Sequence, residues 1–166
     1  RVFIAMLLFV LLFVSPAPAA AQTPPGADSA LHFDGVDDYV EIPYDEDLRF
    51  GSGDFTVEFW VQRLNAGART DLFALNDEAG KALTIYIQAD NRVRFDTWEG
   101  SVDSSLTSTA TVGTGWTHIA FVREAKKMSI YINGRLSGSS SSTLRNFESN
   151  SSIRIGKLFR EDNFWL

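Results

Sequence analysis

From residue 54 to residue 64 the chain reads Asp-Phe-Thr-Val-Glu-Phe-Trp-Val-Gln-Arg-Leu, and apolar and polar positions alternate along it. Phe55, Val57, Phe59 and Val61 fall on one side, and Thr56, Glu58, Trp60 and Gln62 on the other. Successive side chains leave a strand on opposite faces, so this period of two predicts a strand and excludes a helical stripe. No Gly or Pro interrupts it, and Gly51, Ser52 and Gly53 precede it as turn punctuation. The segment is expected to be a long central strand whose apolar face the rest of the chain must cover.

Shorter copies of the pattern follow at residues 71–75, 83–88, 93–98, 116–123, 128–133 and 152–155. Leu83, Ile85 and Ile87 alternate with Thr84 and Tyr86, and Met128, Ile130 and Ile132 with Ser129 and Tyr131. Two further short pieces, 31–33 and 39–42, flank a turn at Gly35. Asn133-Gly134 directly after an alternating run predicts a two-residue hairpin. Residues 43–50 and 101–103 read as loops, and the Ser/Gly-rich stretch 137–142 as a mobile loop with no core to join. No segment carries helical spacing, so the fold class is all-β, an antiparallel sandwich or barrel.

The first residues stand apart. An unbroken apolar run at 2–14 is followed by Ser15, Pro16 and small residues to Ala21. Residues 1–21 are therefore expected to be a secretory signal helix, cleaved before Gln22. The run is shorter than the roughly 20 residues that cross a bilayer, so an uncleaved membrane anchor is the alternative. Residues 22–29, with Pro24, Pro25 and Gly26, form a linker, and one domain occupies 30–166.

Without the signal the chain holds 14 Lys and Arg against 21 Asp and Glu, a net charge of −7. An acidic surface with no basic run argues against a phosphate backbone, which removes nucleic acid as a partner. The chain has no Cys, which excludes disulfides, thiolate metal sites and a lipoprotein anchor.

Five segments in order carry a family resemblance: 31–43 (Leu-His-Phe-Asp-Gly-Val-Asp-Asp-Tyr-Val-Glu-Ile-Pro), 55–61, 115–123 (Gly-Trp-Thr-His-Ile-Ala-Phe-Val-Arg), 131–134 (Tyr-Ile-Asn-Gly) and 153–156 (Ile-Arg-Ile-Gly). Together they resemble the laminin G-like, concanavalin A-like jelly-roll domains of secreted bacterial proteins. The resemblance implies two curved antiparallel sheets packed face to face, with the first strand beside the last. Such domains end in a Gly-x-Ile-Asp-Glu strand that this chain lacks, so a missing closing strand and a C-terminally truncated domain are expected. Open edges would be the result.

Glucanases of this fold carry Glu-x-Asp-x-x-Glu, paired carboxylates acting as nucleophile and acid. Glu58 is followed by Trp60 and Arg63 where carboxylates are required, so a glycoside hydrolase is the weakest of the functional readings. An Asp-box at 101–103 lacks its Gly and Thr-Trp ending, and Gly51-Ser52-Gly53 lacks the flanking spacing of a nucleophile elbow. The two histidines, His32 and His118, are read as structural.

Two binding readings remain. Sugar rings stack on aromatic faces while polar groups take the hydroxyls, and Tyr86, Trp98, Tyr131, Arg94 and Asp96 all lie off the aliphatic sides of their strands. They are the candidate carbohydrate-binding residues. Trp60 lies off its aliphatic side too, but is read as cover for the sheet surface. Calcium wants several oxygen ligands on loops at one end of a scaffold, and the resemblance extends to pentraxins, which implies loop ligands at Asp77, Glu78, Glu161 and Asp162. Further acidic clusters stand at Asp34, Asp37 and Asp38 and at 45–47. The sequence thus leads to a secreted, non-catalytic binding module for a glycan or cell-surface glycoconjugate, with Ca2+ as a candidate cofactor. The alternative is an adhesion or structural domain with a protein partner.

Overall fold

The computed structural model describes residues 29–76, 81–99, 102–125, 127–141 and 151–157. The expected signal segment therefore lies outside the described residues, as do Asp77, Glu78, Glu161 and Asp162. Among the described residues ten strands follow in chain order: β1 (Val40–Ile42), β2 (Phe55–Val61), β3 (Thr70–Asn76), β4 (Lys81–Ile87), β5 (Arg92–Glu99), β6 (Val102–Thr111), β7 (Thr117–Glu124), β8 (Lys127–Ile132), β9 (Arg135–Ser141) and β10 (Ile153–Ile155). The one helical element among the described residues is a 3-10 turn at Glu46–Leu48, whose N-cap Asp45 accepts from the Asp47 N–H.

The strands build two antiparallel sheets, one ordered β1-β10-β3-β4-β5-β6 and the other β2-β7-β8-β9. β1 pairs with β10, Val40 opposite Ile155, so the first described strand lies beside the last described one. Inward side chains of the two sheets meet in one core. In the six-stranded sheet the register runs Phe73, Ile85, Phe95, Leu106 across β3 to β6. In the four-stranded sheet it runs Val57, Phe121, Ile130. Phe95 and Phe121 stack across the gap with centroids 3.7 Å apart and planes 8° from parallel. Of these residues all but Val57 are buried, and burying several large side chains at roughly 1.5–3 kcal/mol each is what holds the layers together.

Four expectations are corrected. β2 shows its predicted alternation, but among the described residues it is an edge strand paired only with β7, and Phe55, Val57, Phe59 and Val61 are half-buried and pack against the core from its margin. Alternation fixes which face a side chain takes, and it carries no information on how many neighbours a strand has. The Ser/Gly-rich stretch is also no loop, because Arg135–Ser141 is β9, joined to β8 by the predicted Asn133-Gly134 turn. Both turn residues have positive φ, 50° and 73°, as a primed hairpin turn demands.

β6, Val102–Thr111, is likewise a strand in which residues 101–103 give a loop signal. Its Ser and Thr side chains supply hydrogen bonds where the ladder shifts register between Arg92 and Arg94. Ser108 Oγ accepts from the Val93 N–H at 2.9 Å and donates to the Ala110 carbonyl at 2.7 Å. The same strand closes one flank of the sandwich against β9. Ser137 Oγ accepts from the Ala110 N–H at 2.9 Å, Thr109 Oγ1 donates to the Ser137 carbonyl at 2.9 Å, and a Cβ on Gly138 would meet the Thr107 carbonyl oxygen at 2.9 Å. Glycine is required there so that two backbones can touch. The expected strand at 31–33 does not form.

Candidate functional site

On the outward face of the six-stranded sheet, Asp71 of β3, Tyr86 of β4 and Arg94 of β5 stand in register. Alternation places Asp96 on the same face, while Ile85, Ile87, Val93 and Phe95 turn into the core. Tyr86 Oη donates to Asp96 Oδ2 at 2.7 Å, and Arg94 Nε donates to Asp96 Oδ1 at 2.8 Å. Arg69, just before β3, grips Asp71 through Nη2 at 2.9 Å and Nε at 3.1 Å, and its guanidinium carbon lies 3.8 Å over the Tyr86 ring. The result is a continuous ladder: Asp71, Arg69, Tyr86, Asp96, Arg94.

The electrostatics follow from burial. The Asp71 side chain is 1% exposed, and desolvation pushes its carboxyl above the ordinary carboxylate range even though Arg69 pulls the other way. Arg94 is held above its ordinary value by its hydrogen bond to Asp96. Tyr86 is pushed up to about 12, first by burial and then by the hydrogen bond and charge of Asp96, both of which oppose the phenolate. Its folded value therefore lies above the unfolded one. That contribution to stability is complete below about pH 10 and is lost as pH rises through about 12. Tyr86→Phe is accordingly expected to show a shallower loss of stability on the alkaline side, and the wild-type phenolate absorbance is expected to develop late. A Tyr86 titrating near the ordinary tyrosine value of about 10 contradicts the hydrogen bond to Asp96.

The predicted carbohydrate residues thus divide. Tyr86, Arg94 and Asp96 come together. Trp98 continues β5, its backbone opposite Ala82, and its side chain lies outside the described residues. Tyr131 is on β8 in the other sheet, opposite Ala120 and Leu136, and so belongs to a different surface of the sandwich. Tyr86 also changes role. At 8% exposed and with Arg69 against one ring face, it fixes Asp96 through its hydroxyl and does not offer that face for stacking. Arg69 and Asp71 complete the set without having been singled out from sequence. The signal was there, since Arg69-Thr70-Asp71 and Arg94-Phe95-Asp96 are the same Arg-x-Asp spacing, which on a strand puts both charges on one face.

The opposite sheet carries Trp60 against His118, ring centroids 5.3 Å apart, with Glu58 Oε2 at 3.5 Å from His118 Nε2. At one rim, the carboxylates of Asp34, Asp37 and Asp38 can bring oxygens within 4.8 Å of one another. Two of them are committed to the backbone: Asp34 Oδ1 accepts from the Val36 N–H at 2.8 Å and Asp38 Oδ2 from the Asp34 N–H at 3.0 Å. The Val36 contact is the main cause of the low Asp34 value. A crevice between Tyr44, Leu48, Leu75 and Ile153 has a volume of about 10 Å³, enough for one water and too small for a sugar.

Stacked antiparallel sheets with the first and last described strands paired define a concanavalin A-like jelly roll. The description "Concanavalin A-like lectin/glucanases superfamily" matches residues 34–166, and the chain belongs to that superfamily. Among solved structures it is similar to domains LG4-5 of the mouse laminin alpha1 chain, with 15% identity and a TM-score of 0.60 over 75% of this chain and 34% of that one. It therefore spans about a third of that laminin structure. A second is the CBM40 of the Ruminococcus gnavus IT-sialidase bound to alpha2,3 sialyllactose, with 14% identity, TM-score 0.55 and coverage of 78% and 83%. A third is domain 4 of an extracellular GH43 arabinanase from Geobacillus stearothermophilus in complex with arabinotriose, with 19% identity, TM-score 0.53 and coverage of 76% and 61%. No curated protein sequence matches. At these identities the likenesses establish the fold.

Proposed function

We propose that this domain is a secreted, non-catalytic carbohydrate-binding module that takes its glycan on the outward face of the six-stranded sheet. The observation that carries the reading is Asp96, held by Tyr86 on one oxygen and Arg94 on the other. Acceptors and donors fixed in advance by their neighbours lose little entropy when they engage hydroxyls. Superfamily membership supports it, as do the sialyllactose-bound and arabinotriose-bound modules sharing the fold. A binding role without hydrolysis fits the carboxylates: Asp71 and Asp96 are both committed to arginines, and neither is left as a free acid beside a nucleophile.

Calcium enters as a rim function. Carboxylate oxygens suit a hard cation, and Asp34, Asp37 and Asp38 supply up to three of the six to eight ligands it takes. Asp77, Glu78, Glu161 and Asp162 are the other proposed ligands. A protein partner is the second reading, favoured by β2, whose backbone pairs on one side only among the described residues and so offers an edge for strand addition.

A glycan array probed with wild type and Asp96→Ala, each with and without chelator, tests these readings. Wild type is expected to bind, and Asp96→Ala to lose about tenfold or more in affinity while keeping its unfolding transition, as the loss of hydrogen bonds to a charged group predicts. Binding lost to chelator assigns calcium a part, and binding retained removes calcium alone. An array with no signal in either condition overturns the carbohydrate reading and leaves the protein partner.

A further inference from the structure

We infer that the glycan taken on this face is electrically neutral and is recognised through a pair of adjacent hydroxyls, which rests on the carbohydrate reading above. The argument is one of charge balance. Among the described residues four arginines serve this sheet, and each is matched by a carboxylate: Arg69 by Asp71 at 2.9 Å, Arg94 by Asp96 at 2.8 Å, Arg154 by Glu41 at 3.1 Å and Arg92 by Asp90 at 3.8 Å. The ladder itself sums to zero charge. In register with Asp96 on either side are Thr84 and Ser105, so that row adds no unmatched cation.

An acidic sugar approaching Arg94 meets the charge of Asp96, whose oxygen already sits 2.8 Å from the guanidinium Nε. Like charges that close repel, and more strongly where water is partly excluded, as it is around an Asp96 side chain only 13% exposed. A hydroxyl meets the opposite situation. Arg94 engages Asp96 through Nε and has no other hydrogen-bonded partner among the described residues, which leaves its terminal N–H groups to donate to one sugar oxygen. Each Asp96 oxygen accepts one bond and has a lone pair left for the next hydroxyl. A donor beside an acceptor on a rigid sheet is the complement of a vicinal diol. The fold does not make this choice, since the sialidase and arabinanase modules carry an acidic and a neutral ligand on the same architecture.

The test measures the full chain against neutral arabino-, gluco- and galacto-oligosaccharides and against uronate and sialylated oligosaccharides, at low and high salt, by titration calorimetry. Neutral sugars are expected to bind about tenfold or more tightly than acidic ones, with little change in salt because no net charge is neutralised. Asp96→Asn leaves Arg94 unmatched and is expected to shift the neutral-to-acidic ratio about tenfold toward the acidic class. Arg94→Gln serves if that variant unfolds, and is expected to weaken neutral binding while leaving acidic sugars unbound. Preferential or salt-sensitive binding of sialylated or uronate sugars overturns the inference and leaves the carbohydrate reading intact. A neutral preference that neither variant alters removes the ladder as its cause and overturns the inference too. Binding of neither class overturns both.

Discussion

Phe121→Ala is expected to lower the free energy of unfolding by about 3–5 kcal/mol. Phe121 is 1% exposed and stacks on Phe95 of the facing sheet at 3.7 Å, with Phe55 at 5.9 Å on its own sheet. Truncation removes the transfer free energy of a buried ring and leaves a cavity that two rigid sheets cannot collapse to fill. It also removes the aromatic pair, worth about 0.5–1.5 kcal/mol beyond area. A domain stable by about 5–15 kcal/mol then sits near its threshold. Denaturant unfolding followed by tryptophan fluorescence measures this, and a loss under about 1 kcal/mol would mean the two sheets do not meet at this point. Phe121→Leu, which keeps most of the volume, is expected to lose less than half as much.

The second large effect belongs to a buried cation. Arg63 is 4% exposed and ties three loops together: it donates to Asn91 Oδ1, to the Val112 carbonyl at 2.9 Å and to the Ala68 carbonyl at 3.4 Å. Asn91 in turn takes the Gly67 N–H at 3.0 Å and sits at φ 66°, a conformation that needs support in a residue other than Gly. Arg63→Ala strands the Val112 acceptor and opens a cavity, and is expected to lose about 3–4 kcal/mol. The Arg63 Nε has no hydrogen-bond partner among the described residues, and burial pulls its guanidinium below the ordinary value, so the charge is itself a burden. Arg63→Met, which keeps the volume and sheds that burden, is expected to recover at least half of the loss. Equal losses in the two variants contradict a part for packing and buried charge, and assign the whole effect to the three acceptors.

Where side chains point was legible from sequence to the extent that alternation governs it. Phe55, Val57 and Phe59 do face the core, and Tyr86, Arg94 and Asp96 do leave it. Sheet order was not legible, because the pairing that makes β2 an edge is set by residues as remote as Val122 and Phe121. The Ser-rich β6 and β9 escaped for a different reason. Their stability comes from hydroxyls replacing backbone partners, as Ser108 and Ser137 do, and a hydrophobic pattern is blind to that. In the candidate site the charged members Arg94 and Asp96 were readable, but Arg69 and Asp71 precede a register shift between Asp71 and Phe73, so the alternation of the apolar residues after it does not carry back to them. Tyr131 misled because an outward position on one strand says nothing of which sheet owns the strand.

The Ser137 and Gly138 contacts make the sandwich asymmetric: among the described residues, hydrogen bonds join the sheets along β6 and β9, while at the β1 and β2 margin side-chain packing such as Phe50 against Phe55 and Phe73 does so. Like a bound volume it has a spine and a fore-edge, and thermal opening is expected to begin at the fore-edge. The Arg94 and Asp96 pages lie next to the spine, on the strand paired with β6. A candidate site placed there is expected to keep its geometry through excursions that leave the N-terminal margin ajar.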